Sequence, residues 1–383
     1  MKKINIRLLK FAWFLPGILT AFILSACQQQ SDDVPTDTDT GDYRTYHIDL
    51  VASLAGGFST RAITPDNSYT QEGTAAENAI NPNDYKILLF DGDGKYFMEF
   101  NSGDWSANVT DDGIQIAGSF KEHPSKVPDE LQLMFLANWK TEGFSYRTAD
   151  ANYPTAENGN LLTIQNICYS SGTSGSYRVG SEYRDNPFLP DATKCFIPMF
   201  GLSKKMAVNE PELNFSGNNS VILLRSLAKI EIIDNLKSYD YPIAECSVTG
   251  YNYWGRFTPD INVLNSTLDG VTSISIISNP SFRSNYIMTC TKEYNDETGI
   301  SKFFVYIPEM DVNNNTLTIN FNSIYLPSKT LNLKDYTSQI LRNHIYRFVI
   351  SDPKPEPEPE PDPEVSFWVY PWTTAKSTDI TFD

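Results

Sequence analysis

Five apolar residues at alternate positions, Tyr46, Ile48, Leu50, Ala52 and Leu54, interleave with Thr45, His47, Asp49, Val51 and Ser53. A period of two puts one set of side chains on one face of an extended chain, so this segment is stable only as a strand with that face buried. The same texture recurs downstream. Runs rich in Val, Ile, Thr, Tyr and Phe, bounded by Asn, Asp, Gly and Pro, predict strands at Lys86 to Asp91, Lys95 to Phe100, Leu131 to Ala137 and Val221 to Asp234. Others are predicted at Ser273 to Ile277, Phe303 to Ile307, Thr316 to Phe321 and Ile345 to Ile350. Helical periodicity is rare, with one short helix expected near Ala156 to Ile164, inside a loop-rich stretch from Thr141 to Cys195. The expected class is all-β, with short strands spaced as in β-sandwiches.

Organisation follows from breaks in this texture. Pro, Asn and Glu between Val208 and Gly217 mark a boundary, giving an N-terminal sandwich over 43–210 and a C-terminal one over 211–352. With 40% of the chain hydrophobic and 13% of it aromatic, two cores can be filled. Asp91-Gly92-Asp93-Gly94 reads as a hairpin turn. A calcium loop of the EF-hand kind would need oxygen ligands where Lys95 and Ser102 stand.

The N-terminus carries an address. Lys2, Lys3, Arg7 and Lys10 precede an apolar run from Phe11 to Leu24, broken by Pro16-Gly17 and shorter than the ~20 residues of a spanning helix. The run ends in Leu24-Ser25-Ala26-Cys27, the layout of a bacterial lipoprotein signal, so residues 1–26 are expected to be cleaved and Cys27 lipidated. Residues 27–42 are polar and acidic and read as a disordered tether.

A formal net charge of −17 argues against nucleic acid or anionic lipid as a partner, since attraction to either is cationic. After Cys27, the cysteines Cys168, Cys195, Cys246 and Cys290 show no metal-binding spacing; they allow two disulfides in three connectivities, or isolated buried thiols. The only histidines are His47, His123 and His344, and no HExxH, GxSxG or Walker-type loop occurs, so no catalytic residues, metal or cofactor are expected.

At the C-terminus, proline alternates with Lys354, Glu356, Glu358, Glu360 and Asp362 from Pro353 to Pro363. The alternation enforces polyproline II, a stiff spacer of roughly 30 Å or more. The linker, taken as 353–364, is followed by an apolar, aromatic segment over 365–383. Val365, Phe367, Val369, Ile380 and Phe382 are the candidate donor-strand residues for addition to another sheet, with Trp368, Tyr370 and Trp372 competing on the other parity. Folding back as a final strand of its own domain is the alternative.

Several motifs resemble those of the fimbrillins, the subunits of type V pili in Bacteroidales. Leu223-Leu224-Arg225-Ser226-Leu227-Ala228-Lys229-Ile230 is similar to the family's Arg-x-x-Ala-Lys-Ile strand, and Ile197-Pro198-Met199-Phe200-Gly201 to its Pro-Met-x-Gly element. Tyr306-Ile307-Pro308-Glu309 and Leu341-Arg342-Asn343-His344-Ile345-Tyr346 resemble later strands, in the expected order. Gln28-Gln29-Gln30-Ser31-Asp32-Asp33 resembles the signal that sends Bacteroidetes lipoproteins to the outer face of the outer membrane.

The resemblance implies two tandem transthyretin-like Greek-key sandwiches with a C-terminal extension. It also implies a lipoprotein precursor at the cell surface, which a trypsin-like protease cuts after an arginine beyond the first strand. Cleavage removes that strand and opens a groove for the C-terminal strand of a like or related subunit. In this chain the expected cut lies between Arg61 and Ala62, in the exposed loop after Gly56-Gly57-Phe58-Ser59-Thr60; cutting at Arg44 would leave the strand in place. The expected function is a structural subunit of a fimbrium that contributes to adhesion. The alternatives are a lipid-retaining anchor subunit and a surface glycan-binding lipoprotein using aromatics such as Trp105, Trp139 and Trp254.

Overall fold

The computed structural model describes residues 42–54, 73–110, 113–139, 145–148, 167–170, 183–184, 188–190, 195–236, 243–252, 254–259, 287–313, 316–323, 328–352 and 364–372. All belong to one compact unit, Asp42–Asp383. Cys27, Arg61, Ala62, Ile380, Phe382, the expected helix near 156–164, the expected strand at 273–277 and the spacer 353–363 lie outside the described residues.

The fold is all-β. Among the described residues the one α-helix is the single turn Ala75–Asn78, accompanied by short 3-10 turns. The alternating segment forms the first strand, Arg44–Leu54, with its five apolar residues inward as the period of two requires. It lies inside a ten-stranded sheet whose main path runs Tyr96–Asn101, Tyr85–Asp91, Glu130–Ala137, Met199–Leu202, Val221–Arg225, Arg44–Leu54, Gly113–Glu122, Ser106–Thr110. Leu88 and Leu133 from one end share a core with Ile48 and Leu50 from the other, so the twisted sheet curls over onto itself. Gly201 permits this close packing: a Cβ there would meet Val221 Cγ1 at 2.3 Å and the Ile222 carbonyl at 2.8 Å.

The second core is a sandwich of two five-stranded sheets. One runs Thr291–Asn295, Ile300–Pro308, Leu227–Asn235, His344–Ser351, Glu364–Pro371. The other runs Lys329–Asn332, Thr318–Ser323, Ile243–Thr249, Ile287–Thr289, Tyr183–Arg184. Ile230, Ile232 and Phe348 from the first meet Val248, Ile319 and Phe321 from the second. The pair Tyr183–Arg184 shows that the loop-rich excursion reaches this sandwich.

The structure differs from the expected boundary at 210/211. Glu212–Phe215 and Val221–Arg225 both pair in parallel with the first strand, and Leu213, Phe215, Val221 and Leu223 fill the first core. The passage between cores comes at Ser226, which splits the expected strand Val221 to Asp234 in two. Its N–H donates to the Pro198 carbonyl at 2.8 Å and its hydroxyl to the Phe257 carbonyl at 3.0 Å, so the chain bends here with its polar groups satisfied inside the protein. The turn at 91–94 is the expected hairpin: Asp91 Oδ1 accepts from the Asp93 and Lys95 N–H groups, and Gly94 takes φ +81°.

Candidate assembly site

The first strand has partners on both sides. It pairs antiparallel with Gly113–Glu122 through ten residues, and in parallel with Glu212–Phe215 and then Val221–Arg225. Tyr46, Ile48, Leu50, Ala52 and Leu54 are each at most 6% exposed, and Tyr46 stacks on Phe120 at 5.1 Å. His47, Asp49 and Thr45 face outward. At ~1.5–3 kcal/mol for each large side chain, the strand buries on the order of 10 kcal/mol of apolar contact. Without it, two flanking strands would present open hydrogen-bonding edges over an apolar floor, a template for an incoming strand.

The tail makes the second part of the site. Glu364–Pro371 pairs antiparallel with His344–Ser351 through eight residues as the edge strand of the second sandwich. Both parities are used. Val365, Phe367 and Val369 pack against the second core, where Phe367 lies 4.8 Å from Phe348 and 5.4 Å from Tyr336. On the opposite face Trp368 is half-buried, and Tyr370 and Trp372 join the first core's cluster. Trp372 is fully buried; its N–H donates to the Asn343 carbonyl at 3.0 Å and its ring stacks on Tyr306 at 5.8 Å.

A buried ionic network ties these parts together, and here the charged residues of the Arg225 to Ile230 motif find their role. Arg225 lies 4.8 Å over the Trp372 ring and is fully buried. Its Nε donates to the Glu77 carbonyl at 3.1 Å, and its Nη1 to Asn343 Oδ1 at 2.9 Å and to the Trp372 carbonyl at 3.2 Å; its Nη2 donates to Asn78 Oδ1. Glu77 sits in a capping box: its N–H donates to Thr74 Oγ1, and the Thr74 N–H donates back to Glu77 Oε2 at 2.6 Å. Its Oε1 accepts from Tyr306 and pairs with Lys229 at 2.7 Å. Lys229 in turn meets Glu231 at 3.0 Å, and Glu231 meets Arg347 at 2.7 Å.

Burial opposes every one of these charges, and the partners decide the outcome. For Glu77, desolvation pushes the carboxyl up, but Lys229, Tyr306 and the Thr74 N–H together hold it below its ordinary value. Desolvation likewise opposes charged Lys229 and Glu231, yet their contacts leave Lys229 raised and Glu231 lowered. Burial brings Arg225 down to about 10, with Glu77 resisting, so it stays a cation at neutral pH. A second buried pair holds the loop before the last domain strand: Arg342 Nε and Nη2 grip Glu309 at 2.9 and 2.5 Å, while Nη1 donates to the Phe257 carbonyl at 2.8 Å.

The network joins Glu77, Arg225, Lys229, Glu231, Tyr306 and Arg347 from separate segments into one buried cluster. Among the described residues no group of three or more His, Cys, Asp or Glu is placed to hold a metal. Cys246 and Cys290 are free thiols buried in the second core. Of the aromatics considered for glycan stacking, Trp139 is buried edge-on against Phe257 and Trp105 packs on Phe100, while the Trp254 side chain lies outside the described residues. Sequence reasoning missed Glu77, Asn343 and Trp372 as joint residues. The Thr74-x-x-Glu77 spacing and an arginine inside the apolar run 221–233 were the available signals.

No family model and no curated protein matches the sequence. Among solved structures, the chain is similar to a C-terminally truncated form of the tip fimbrial protein Mfa3 from Porphyromonas gingivalis, with a TM-score of 0.51 at 12% identity, over 86% of this chain and 100% of that one. The fold is similar to that of a fimbrial tip protein. It is also similar to a fimbrial assembly protein from Parabacteroides distasonis, with a TM-score of 0.48 at 13% identity, over 86% and 96% of the two chains. At such identity the fimbrial likeness is one of fold, and the roles of individual residues rest on the geometry above.

Proposed function

We propose that this chain is a structural subunit of a cell-surface fimbrium that contributes to adhesion. It is exported as a lipoprotein through Cys27, reaches the outer membrane surface, and is activated when a trypsin-like protease cuts between Arg61 and Ala62. The released strand, with Tyr46, Ile48, Leu50, Ala52 and Leu54, leaves a slot that a strand from a like or related subunit fills. The observation that carries this reading is the placement of that strand: inside its sheet, paired on both sides, and ending at Leu54, just before the segment that holds Arg61. The fold likeness to a fimbrial tip protein supports the same class of role.

The tail supplies the donor. Val365, Phe367 and Val369 are engaged on the second sandwich and anchor the arm, so the slot-filling part falls to the residues beyond Trp372, with Ile380 and Phe382 as its apolar pair. The test is the N-terminal sequence of the protein sheared from intact cells. A start at Ala62 in polymeric material is the expected result. A lipid-bearing start at Cys27, with residues 44–54 still present, would overturn processing and leave a lipid-retaining anchor.

A further inference from the structure

Ser351, two residues before the first proline of the spacer, and Glu364, directly after its last, face each other across one ladder. Opposed residues in an antiparallel pair have Cα atoms about 4.5–5.5 Å apart. The sequence between them pulls the other way. Six prolines alternate with Lys354, Glu356, Glu358, Glu360 and Asp362. Each residue before a proline is confined to extended backbone, and polyproline II rises ~3.1 Å per residue, so eleven residues favour ends roughly 34 Å apart. Four carboxylates against one ammonium repel along the arm and extend it further. A hairpin joins such strands through two to five residues, with turn chemistry that is missing here.

The seat itself is built without the tail. Its ladder edge is 344–351, Phe348 and Tyr336 receive Phe367, and Arg225, Tyr306 and Asn343 hold Trp372. Every one of these contacts is equally available to the same segment of another molecule; only the path of the spacer changes. We propose that the C-terminal strand is exchanged between copies, with residues 364–372 of one chain seated beside 344–351 of a second copy and the spacer bridging the two. Exchange relieves the conflict between a stiff arm and adjacent ends. The exchange is separate from the slot of the first strand, which lies in the other sheet, and it does not depend on processing at Arg61.

The test uses the full, uncleaved chain, so that the first strand still fills its own slot. Ser351→Cys and Glu364→Cys variants are co-expressed, oxidised and run without reductant. The expected result is a covalent dimer that neither variant gives alone, and that is lost when residues 352–363 are replaced by an Asn-Gly turn. In the double variant Ser351→Cys/Glu364→Cys, a ladder of higher covalent species would mark one-way exchange and supports the proposal equally. The double variant Ser351→Cys/Glu364→Cys serves as the control in one chain. Closure within single chains, with no dimer from the mixture, overturns the exchange. Failure of the double variant to cross-link at all overturns the seat.

Discussion

The contact between Arg225 and Trp372 should act as a measurable coupling between residues 147 positions apart. Arg225→Ala strips hydrogen bonds from three buried acceptors, the Glu77 and Trp372 carbonyls and Asn343 Oδ1, and from the half-buried Asn78 Oδ1. Breaking a buried charged network of this kind costs about 3–5 kcal/mol. Trp372→Ala empties the seat of a fully buried indole, at about 3–5 kcal/mol. It keeps the backbone carbonyl, so what the two variants share is mainly the desolvated cation–π contact at 4.8 Å, worth about 2 kcal/mol. The double variant should therefore be less destabilised than the sum of the singles by about 2 kcal/mol, read by urea denaturation followed with far-ultraviolet circular dichroism. Arg225→Ala should also speed amide exchange in 364–371. Additivity within about 0.5 kcal/mol, with unchanged exchange in the tail, would refute the joint.

Acid should weaken the same joint. Glu77 is held low in the folded state, so its contribution is complete above its unfolded value of 4.5 and is lost as pH falls through the folded value. Glu77→Gln should flatten the acid limb of the stability profile in pH-dependent thermal melts. Leu50→Ala, in the first strand's fully buried face, should cost about 2–5 kcal/mol in the uncleaved chain, shown by its urea midpoint. Gly201→Val should destabilise by about 1–3 kcal/mol or more, since its Cβ alone meets the Ile222 carbonyl at 2.8 Å; a wild-type melting temperature would refute the close approach.

Much of the fold was legible because a period of two leaves little choice. Tyr46 to Leu54 and the pairs around the 91–94 turn lie where alternation and turn chemistry put them. The domain junction was illegible for a definite reason. Pro and Asn near 208–217 resemble a break, but Glu212–Phe215 pairs into the first sheet, whereas the passage at Ser226 sits inside the apolar run 221–233, marked only by Arg225 and Ser226. The parity of the tail was undecidable from sequence because both faces of 365–372 are apolar, and the structure buries both, one against each core.

What the sequence by itself determined was therefore local and periodic: the strands of alternating apolar residues and the turns between them. Tertiary structure alone decided which charges are buried. Arg225, Lys229, Glu231 and Arg347 look like a solvated face in one dimension, and become a joint only because Glu77, Tyr306 and Trp372 arrive from distant segments to pair with them. Desolvation makes such charges tolerable only when partners are already in place, and partner placement is a property of three dimensions.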